Sequence, residues 1–330
     1  MDQPKSQPEV KRIFANILVI FAALTLPGLP GLAWSLFGWL HIFLPLLIFF
    51  YLIKYGMSIG NKFILAGTGL ALVAGMVTQS VDGLLFSCSL MPAGYVIAQS
   101  GLKGDSPALS GFKGAVTQSI CWAILIALLS AREGLSPYGS LINAVHSSID
   151  ALMAYYSQSG AIDAEGMVMY EATLKQMKMV ITLLLPSIFI SCTFLSVWMT
   201  MVFGNRLAIR FCDRQIWPSY RYWQLPDKLI WVGICCAVLA FFPLGVIRSI
   251  SANLLILLSV VYSFQGFSVC VFYMHKWNVP ILFRSFVYVM VIFQSFGTIV
   301  LLVVGIADTW FDFRKLKKTE DTPETGPKDE

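Results

Sequence analysis

Residues 180–203 read VITLLLPSIFISCTFLSVWMTMVF, 24 residues without one charged side chain. A hydrocarbon core about 30 Å thick is crossed by roughly 20 apolar residues in a helix, so this stretch alone is long enough. Leu229–Ile247, Leu254–Met274 and Phe286–Ile306 repeat the pattern, each free of charge. Around them the 330-residue chain is 57% hydrophobic and 12% charged, with a mean hydropathy of +0.73. In lipid a chain must satisfy its own backbone hydrogen bonds, and helices do so within one segment. The sequence therefore predicts an all-α fold, a polytopic transmembrane helical bundle of eight or nine spans.

Residues 1–12 are polar and read as a disordered N-terminus. Residues 13–130 form an N-terminal membrane bundle, with spans at Ile13–Leu26, Leu32–Ile53, Phe63–Gln79, Leu84–Gln99 and Phe112–Ser130. Pro27-Gly28-Leu29-Pro30-Gly31 breaks the helix after the first span. Residues 131–178 are an amphipathic helical insert between spans 5 and 6. Val145, Ile149, Leu152, Met153 and Tyr156 recur at spacings of three and four, as do Met167, Tyr170, Leu174, Met177 and Ile181. Such helices lie at the membrane interface or pack across the mouth of a cavity. Residues 179–308 form a C-terminal membrane bundle, with spans at Val180–Phe203, Leu229–Ile247, Asn253–Met274 and Ile281–Ile306. Residues 309–330 are an amphiphilic, then disordered tail.

Nine spans with the N-terminus inside put 14 of the 23 Lys and Arg residues on the cytoplasmic side, the expected bias. Eight spans follow if the first span and its break form a re-entrant element, and the basic tail is then inside as well.

Composition excludes several classes. The net charge of +5 matches cationic membrane loops, and no soluble face is large enough for a nucleic-acid patch. The seven cysteines form no Cys-x-x-Cys, and the three histidines have no ligand-type spacing. No metal site, cofactor or nucleotide loop is expected, and no catalytic constellation, so the chain reads as a non-enzyme.

Polar residues within apolar spans are costly and mark function or helix contacts. Gln79, Asp82, Gln118 and Gln265 are the candidates for binding a solute, with interhelical packing or a solvated turn as the competing roles. Gly266 permits close helix approach, and Gln118 and Gln294 suit interhelical bonds. Asn253 is placed to cap span 8. Between spans 6 and 7, Arg206, Arg210, Arg214, Trp217 and Trp223 form a basic and aromatic loop. It suits topology anchoring, docking of anionic lipid headgroups, or docking of a protein partner. Near the C-terminus Arg314 is expected to pair with Asp312, and Asp308 with Arg248.

The second half resembles the YybS-like family of predicted bacterial membrane proteins, a family of unknown function. Pro186, Asn205-Arg206 to Arg210, Trp223-Gln224-Leu225-Pro226, Asn253, Tyr262-Ser263-Phe264-Gln265-Gly266-Phe267-Ser268 and Gly305-Ile306-Ala307-Asp308-Thr309-Trp310-Phe311-Asp312-Phe313-Arg314-Lys315 carry the resemblance. It implies a bacterial inner-membrane protein. The first half is similar to the membrane-embedded substrate-binding subunits of energy-coupling-factor transporters. There a short first helix and a Pro-Gly break are followed by Leu44-Pro45-Leu46, Lys54-Tyr55-Gly56 and small-residue-rich spans. That likeness implies a bundle able to hold a small ligand. The expected function is transport-type binding of a small solute, with partner subunits. The alternative is a non-catalytic membrane scaffold or regulator that docks partner proteins or anionic lipids.

Overall fold

The computed structural model describes residues 7–25, 38–134, 136–159, 163–243 and 245–316. Residues 1–6, the Pro-Gly break at 27–31 and the tail from 317 on lie outside the described residues. Among the described residues every regular element is helical. In order they are α1 (Gln7–Thr25), α2 (Leu44–Val77), α3 (Val81–Leu102), α4 (Pro107–Glu133), α5 (Pro137–Ser159), α6 (Ala164–Cys212), α7 (Leu229–Phe241), α8 (Val246–Lys276), α9 (Ile281–Phe293) and α10 (Ser295–Phe311). Short 3-10 turns lie at Gly38–Phe43 and Tyr220–Tyr222. The chain divides into two compact units, Met1–Ile216 and Trp217–Glu330.

In the first unit α2 folds back on itself. Gly56 has φ 76° and ψ 163°, a conformation that only glycine adopts without strain. Beyond it Gly60 packs against Leu52 and the Tyr51 carbonyl, and the Tyr55 and Phe63 rings lie 5.1 Å apart. In a straight helix eight residues span about 12 Å. Pro45 faces Gly94 while the Thr68 hydroxyl reaches the Met91 sulfur, so residues 23 apart on α2 meet α3 within one turn. The arms 44–55 and 57–77 are thus two antiparallel helices. Helix α1 packs on both: the Asn16 side chain accepts from the Tyr51 and Tyr55 hydroxyls, and Ile20 fills the space over Gly67. Helix α6 returns along the first arm, where Phe49 rests on Gly204 and Phe50 meets Phe211 edge-on at 6.0 Å.

Between α3 and α4 the chain turns in four residues. Ser106 caps α4 by accepting from the Leu109 N–H, and Pro107 occupies the first turn, where no N–H is needed. Asp105 accepts from Lys113 at 2.5 Å and from the Ser100 hydroxyl. These hydrogen bonds, Lys113 first, hold the Asp105 carboxyl below its usual range.

Helix α6 runs 49 residues, about 74 Å, more than twice a hydrocarbon core. Its N-terminal part pairs with α5. Lys178 bonds Asp150 at 2.5 Å, His146 meets the Thr182 hydroxyl at 3.0 Å, and the Tyr156 and Tyr170 rings sit 5.2 Å apart. The apolar stripes of the insert therefore face each other, burying Ile149 and Leu174.

In the second unit α8 and α10 meet backbone to backbone. A methyl group at Gly266 would overlap the Leu301 carbonyl, and one at Gly305 the Tyr262 carbonyl. Asn253 lies inside α8 and donates to the Ser249 carbonyl; the helix starts earlier, after Gly245, so Asn253 is no cap.

Among the described residues five helices are long and apolar enough to cross a bilayer: Leu40–Val77, Val81–Leu102, Pro107–Ala131, Gly166–Cys212 and Val246–Lys276. The pair Ile281–Val291 and Phe296–Phe311, bent by 99°, is either a broken span, which would be a sixth, or a re-entrant loop. The expected eight or nine spans differ from this in three places, each with a physical reason. Helix α1 begins in polar sequence, which shortens its apolar part. Leu40–Val77 is one apolar stretch holding two arms. Helix α7 has 13 residues, about 20 Å, before Phe242-Pro243 ends it.

Two outcomes are expected. An alanine at Gly305 gains about 1 kcal/mol of helix propensity but collides with backbone that cannot rotate away. Gly305→Ala should therefore lower stability by about 1–3 kcal/mol, read as a lower midpoint in thermal unfolding of the detergent-solubilised protein. Because the Asp105 carboxyl is depressed on folding, its contribution is full above the ordinary carboxylate pKa and is lost as pH falls through the lower folded value. Asp105→Asn should flatten this acid limb of the stability profile below about pH 4.

Candidate functional site

Each unit holds a buried polar cluster, and the two differ in kind. In the second unit Asp312 ends α10 with φ 40°, which turns the chain so that Arg314 comes back beneath the helix end. The Arg314 Nη2 donates to Asp308 Oδ2 at 2.7 Å, and both side chains are fully buried. The Nη1 donates to the Arg221 carbonyl at 2.8 Å, the Trp223 carbonyl at 3.0 Å and the Ser268 hydroxyl at 2.7 Å. Gln265 joins them, its Nε2 donating to Asp308 Oδ2 at 3.0 Å while its Oε1 accepts from the Leu225 N–H. A guanidinium, a carboxylate and an amide thus pin residues 220–225 onto α8 and α10.

This corrects the expected pairs. Arg314 pairs with Asp308; Asp312 instead accepts from Gln224 and the Leu316 N–H. Arg248 is exposed near the start of α8, about 25 Å along the helix from Gln265, too far to reach Asp308. Trp217 is buried and meets Trp223 edge-on at 6.3 Å, so these rings pack inside the unit. Gln294 ends α9 on the exposed side.

In the first unit Gln79 sits at φ 55° in the exposed turn after α2, and Asp82 is exposed in the first turn of α3. Gln118 is fully buried, and its Nε2 donates to the Ser89 carbonyl at 3.3 Å. Its Oε1 has no partner among the described residues, nor has the indole N–H of Trp122 one turn on. Asp82 lies about 10 Å along α3 from Ser89, so these three do not converge. Arg206, Arg210 and Arg214 are exposed at the C-terminal end of α6.

His41 was not among the sequence candidates. It is buried, its Nε2 lies 3.0 Å from the Ser87 hydroxyl, and its ring meets Phe86 edge-on at 5.2 Å. Phe86 stacks on Trp122 at 6.3 Å, and Trp122 meets Phe189 at 5.7 Å. The signal was present as an ionisable side chain inside an apolar run.

Beside this ladder lies a groove of about 200 Å³. Trp122, Ala123 and Ile126 of α4, Tyr138 and Leu141 of α5, and Pro186 and Phe189 of α6 line it, together with Ser119 and Thr193, and its surface is almost wholly apolar. None of the four nominated solute-binding residues does. Proline has no N–H, so Pro186 leaves the Thr182 carbonyl without its helical partner. The Tyr138 hydroxyl donates to that carbonyl at 2.9 Å, which fixes the ring at the groove's edge.

All seven cysteines carry free thiols. No group of three His, Cys, Asp or Glu among the described residues is placed to hold a metal ion.

The sequence model of a family described as a predicted membrane protein (DUF2232) matches residues 16–309, and the chain belongs to that family. No curated protein and no solved structure matches it.

Removing one partner of a buried ion pair leaves an uncompensated charge. Asp308→Ala should therefore cost about 3–5 kcal/mol, while the double variant Asp308→Ala/Arg314→Leu should lose much less than the two single losses combined. Denaturant unfolding of the purified protein measures both, and fully additive effects would contradict a coupled pair.

Proposed function

We propose that this member of the predicted-membrane-protein family DUF2232 binds a small apolar solute in the groove between α4, α5 and α6, as a transport-type protein working with partner subunits. One observation carries the reading: an open groove beside two helices long and apolar enough to cross a bilayer, walled by apolar and aromatic side chains. An apolar pocket with a few placed polar groups is the usual form of a small-molecule site. A volume of about 200 Å³ equals six or seven waters at about 30 Å³ each, so the solute is small or is a segment of a longer chain. The likeness of the first half to energy-coupling-factor substrate-binding subunits points the same way. The protein performs no catalysis in this reading, and movement of the solute draws on partner subunits or an ion gradient.

We also propose a bacterial inner-membrane location, eight or nine crossings in all, and a cytoplasmic N-terminus. The basic residues of the first unit support that orientation. Arg206, Arg210 and Arg214 stand at the end of α6 that packs beside Phe50, next to Lys54 and Gly56. A common basic end is what the positive-inside rule favours on the cytoplasmic side.

The scaffold or regulator reading has its own support. The α5–α6 hairpin exposes Tyr155, Val168, Met169 and Met179, a surface suited to a protein partner.

Native mass spectrometry of the gently extracted protein separates the two. The groove reading expects a bound small molecule that is lost in Ala123→Trp, whose added ring fills the groove, with the thermal midpoint nearly unchanged. A mass retained equally by Ala123→Trp, or no bound molecule in the parent protein, would count against it. A stoichiometric protein partner without a small ligand favours the scaffold.

A further inference from the structure

We infer that the basic end of the first unit is a binding surface for anionic phospholipid headgroups, centred on Lys54, Arg210 and Arg214. Lys54 stands at the end of the first arm of α2, 156 residues before Arg210, yet the fold brings their segments together. The Lys54 ammonium lies 5.5 Å from the Phe50 ring centroid, and the Arg210 guanidinium 5.6 Å from that of Phe211. Phe50 and Phe211 meet edge-on, so two cations rest on one aromatic pair. Arg206 lies one turn below Arg210 on α6, and Arg214 follows the helix end.

The charges here are left over. Among the described residues no carboxylate pairs with Lys54, Arg206, Arg210 or Arg214, and what sets these four apart from other unpaired cations is that the fold gathers them at one end of the unit. Asp213 is the acidic side chain within this stretch of α6 and its cap, against three arginines. Two helix C-termini, each worth about half a negative charge, offset only part of the excess. All four cations are exposed.

The depth is right for lipid rather than for a dissolved anion. Below the cations, Leu195 and Phe203 are exposed on an apolar helix long enough to span the bilayer, and Ile209 and Phe211 are exposed between the arginines. Lys and Arg at such a boundary lay their stems along apolar surface and hold their charge at headgroup level. A phosphodiester there meets the cations while its acyl chains run down the aromatic and aliphatic face. Each basic residue near an anionic leaflet adds to the attraction, and the attraction falls with ionic strength. This site is separate from the groove and stands or falls without it.

The test uses the purified full-length chain in non-ionic detergent, where topology no longer matters. Phosphatidylglycerol and phosphatidylcholine are titrated in parallel, with bound lipid counted by native mass spectrometry. The parent protein should prefer phosphatidylglycerol by about tenfold or more, a preference that shrinks as salt rises. The triple variant Lys54→Gln/Arg210→Gln/Arg214→Gln should lose it, while Lys175→Gln, the loss of an exposed cation elsewhere, should keep it. Thermal unfolding of each variant shows that the fold survives. Equal binding of the two lipids by the parent, or an undiminished preference in the triple variant, overturns the inference. So does displacement of the lipid by inorganic phosphate beyond that by chloride at matched ionic strength, which would make the surface a site for free phosphate.

Discussion

A bilayer core has no water to complete a broken backbone, so each irregularity in these helices has to be met by a side chain. An unpaired buried carbonyl costs several kcal/mol in an apolar medium, more than any single packing contact returns. Pro186 creates such a carbonyl at Thr182, and the Tyr138 hydroxyl completes it. At the turn Tyr220–Tyr222, Arg314 meets the Arg221 and Trp223 carbonyls, and Ser268 adds a second donor to the Tyr220 carbonyl. The reversal at Gly56 is handled differently. It falls among Lys54, Ser58, Asn61 and Lys62, at an end of the bundle where water or headgroups can serve the exposed backbone.

The same constraint explains why the polar groups of the two units serve different ends. In the second unit the terminal nitrogens of Arg314 and one oxygen of Asp308 are engaged, while Asp308 Oδ1 and Arg314 Nε have no partner among the described residues. The two terminal nitrogens of Arg314 make four hydrogen bonds, and the Asp308 Oδ2 receives both an arginine and a glutamine. Atoms so engaged fix the geometry of residues 220–225 on α8 and α10. In the first unit the Trp122 N–H and the Gln118 carbonyl oxygen are buried without partners among the described residues, and the Trp122 ring lines the groove. Buried polar groups left open are the exception in folded proteins, and each calls for a partner of its own.

The class of the fold was legible in the sequence because several charge-free runs of about 20 residues match the thickness of a bilayer core. The 145–156 and 167–181 stripes were legible too, since a period near 3.6 is local. That the two stripes face each other is not local, and it emerged only in the packing of α5 on α6. The gap between the spans ending at Ile53 and starting at Phe63 was legible, but the helical path of 57–62 was not, because Ser58, Asn61 and Lys62 look like a loop when a second helix is not there to hold them. Asp308 and Arg314 were assigned to other partners, Arg248 and Asp312; six residues is wrong for a pair on one helix, and the left-handed Asp312 brings the two together. Nomination of Gln79 and Asp82 rested on polarity near spans, which cannot separate an inward dip from an exposed turn. Gln118 and Gln265 were found by the stronger criterion, polarity well inside a span, and both are buried.

Arginine appears here in two environments that decide its role. Arg314 has lost all contact with solvent, and that is tolerable only because its charge is matched by Asp308 and its terminal N–H groups are nearly all spoken for. Arg210 and Arg214 keep their solvation and meet no carboxylate, so they add little to folding and retain their full field. Moving a charge from the second setting to the first would destabilise the protein; moving one the other way would abolish the tie between residues 220–225 and α8. The distribution follows from the medium: charge is buried where it holds chain segments together, and is left unpaired where a membrane surface or a partner can supply the counter-charge.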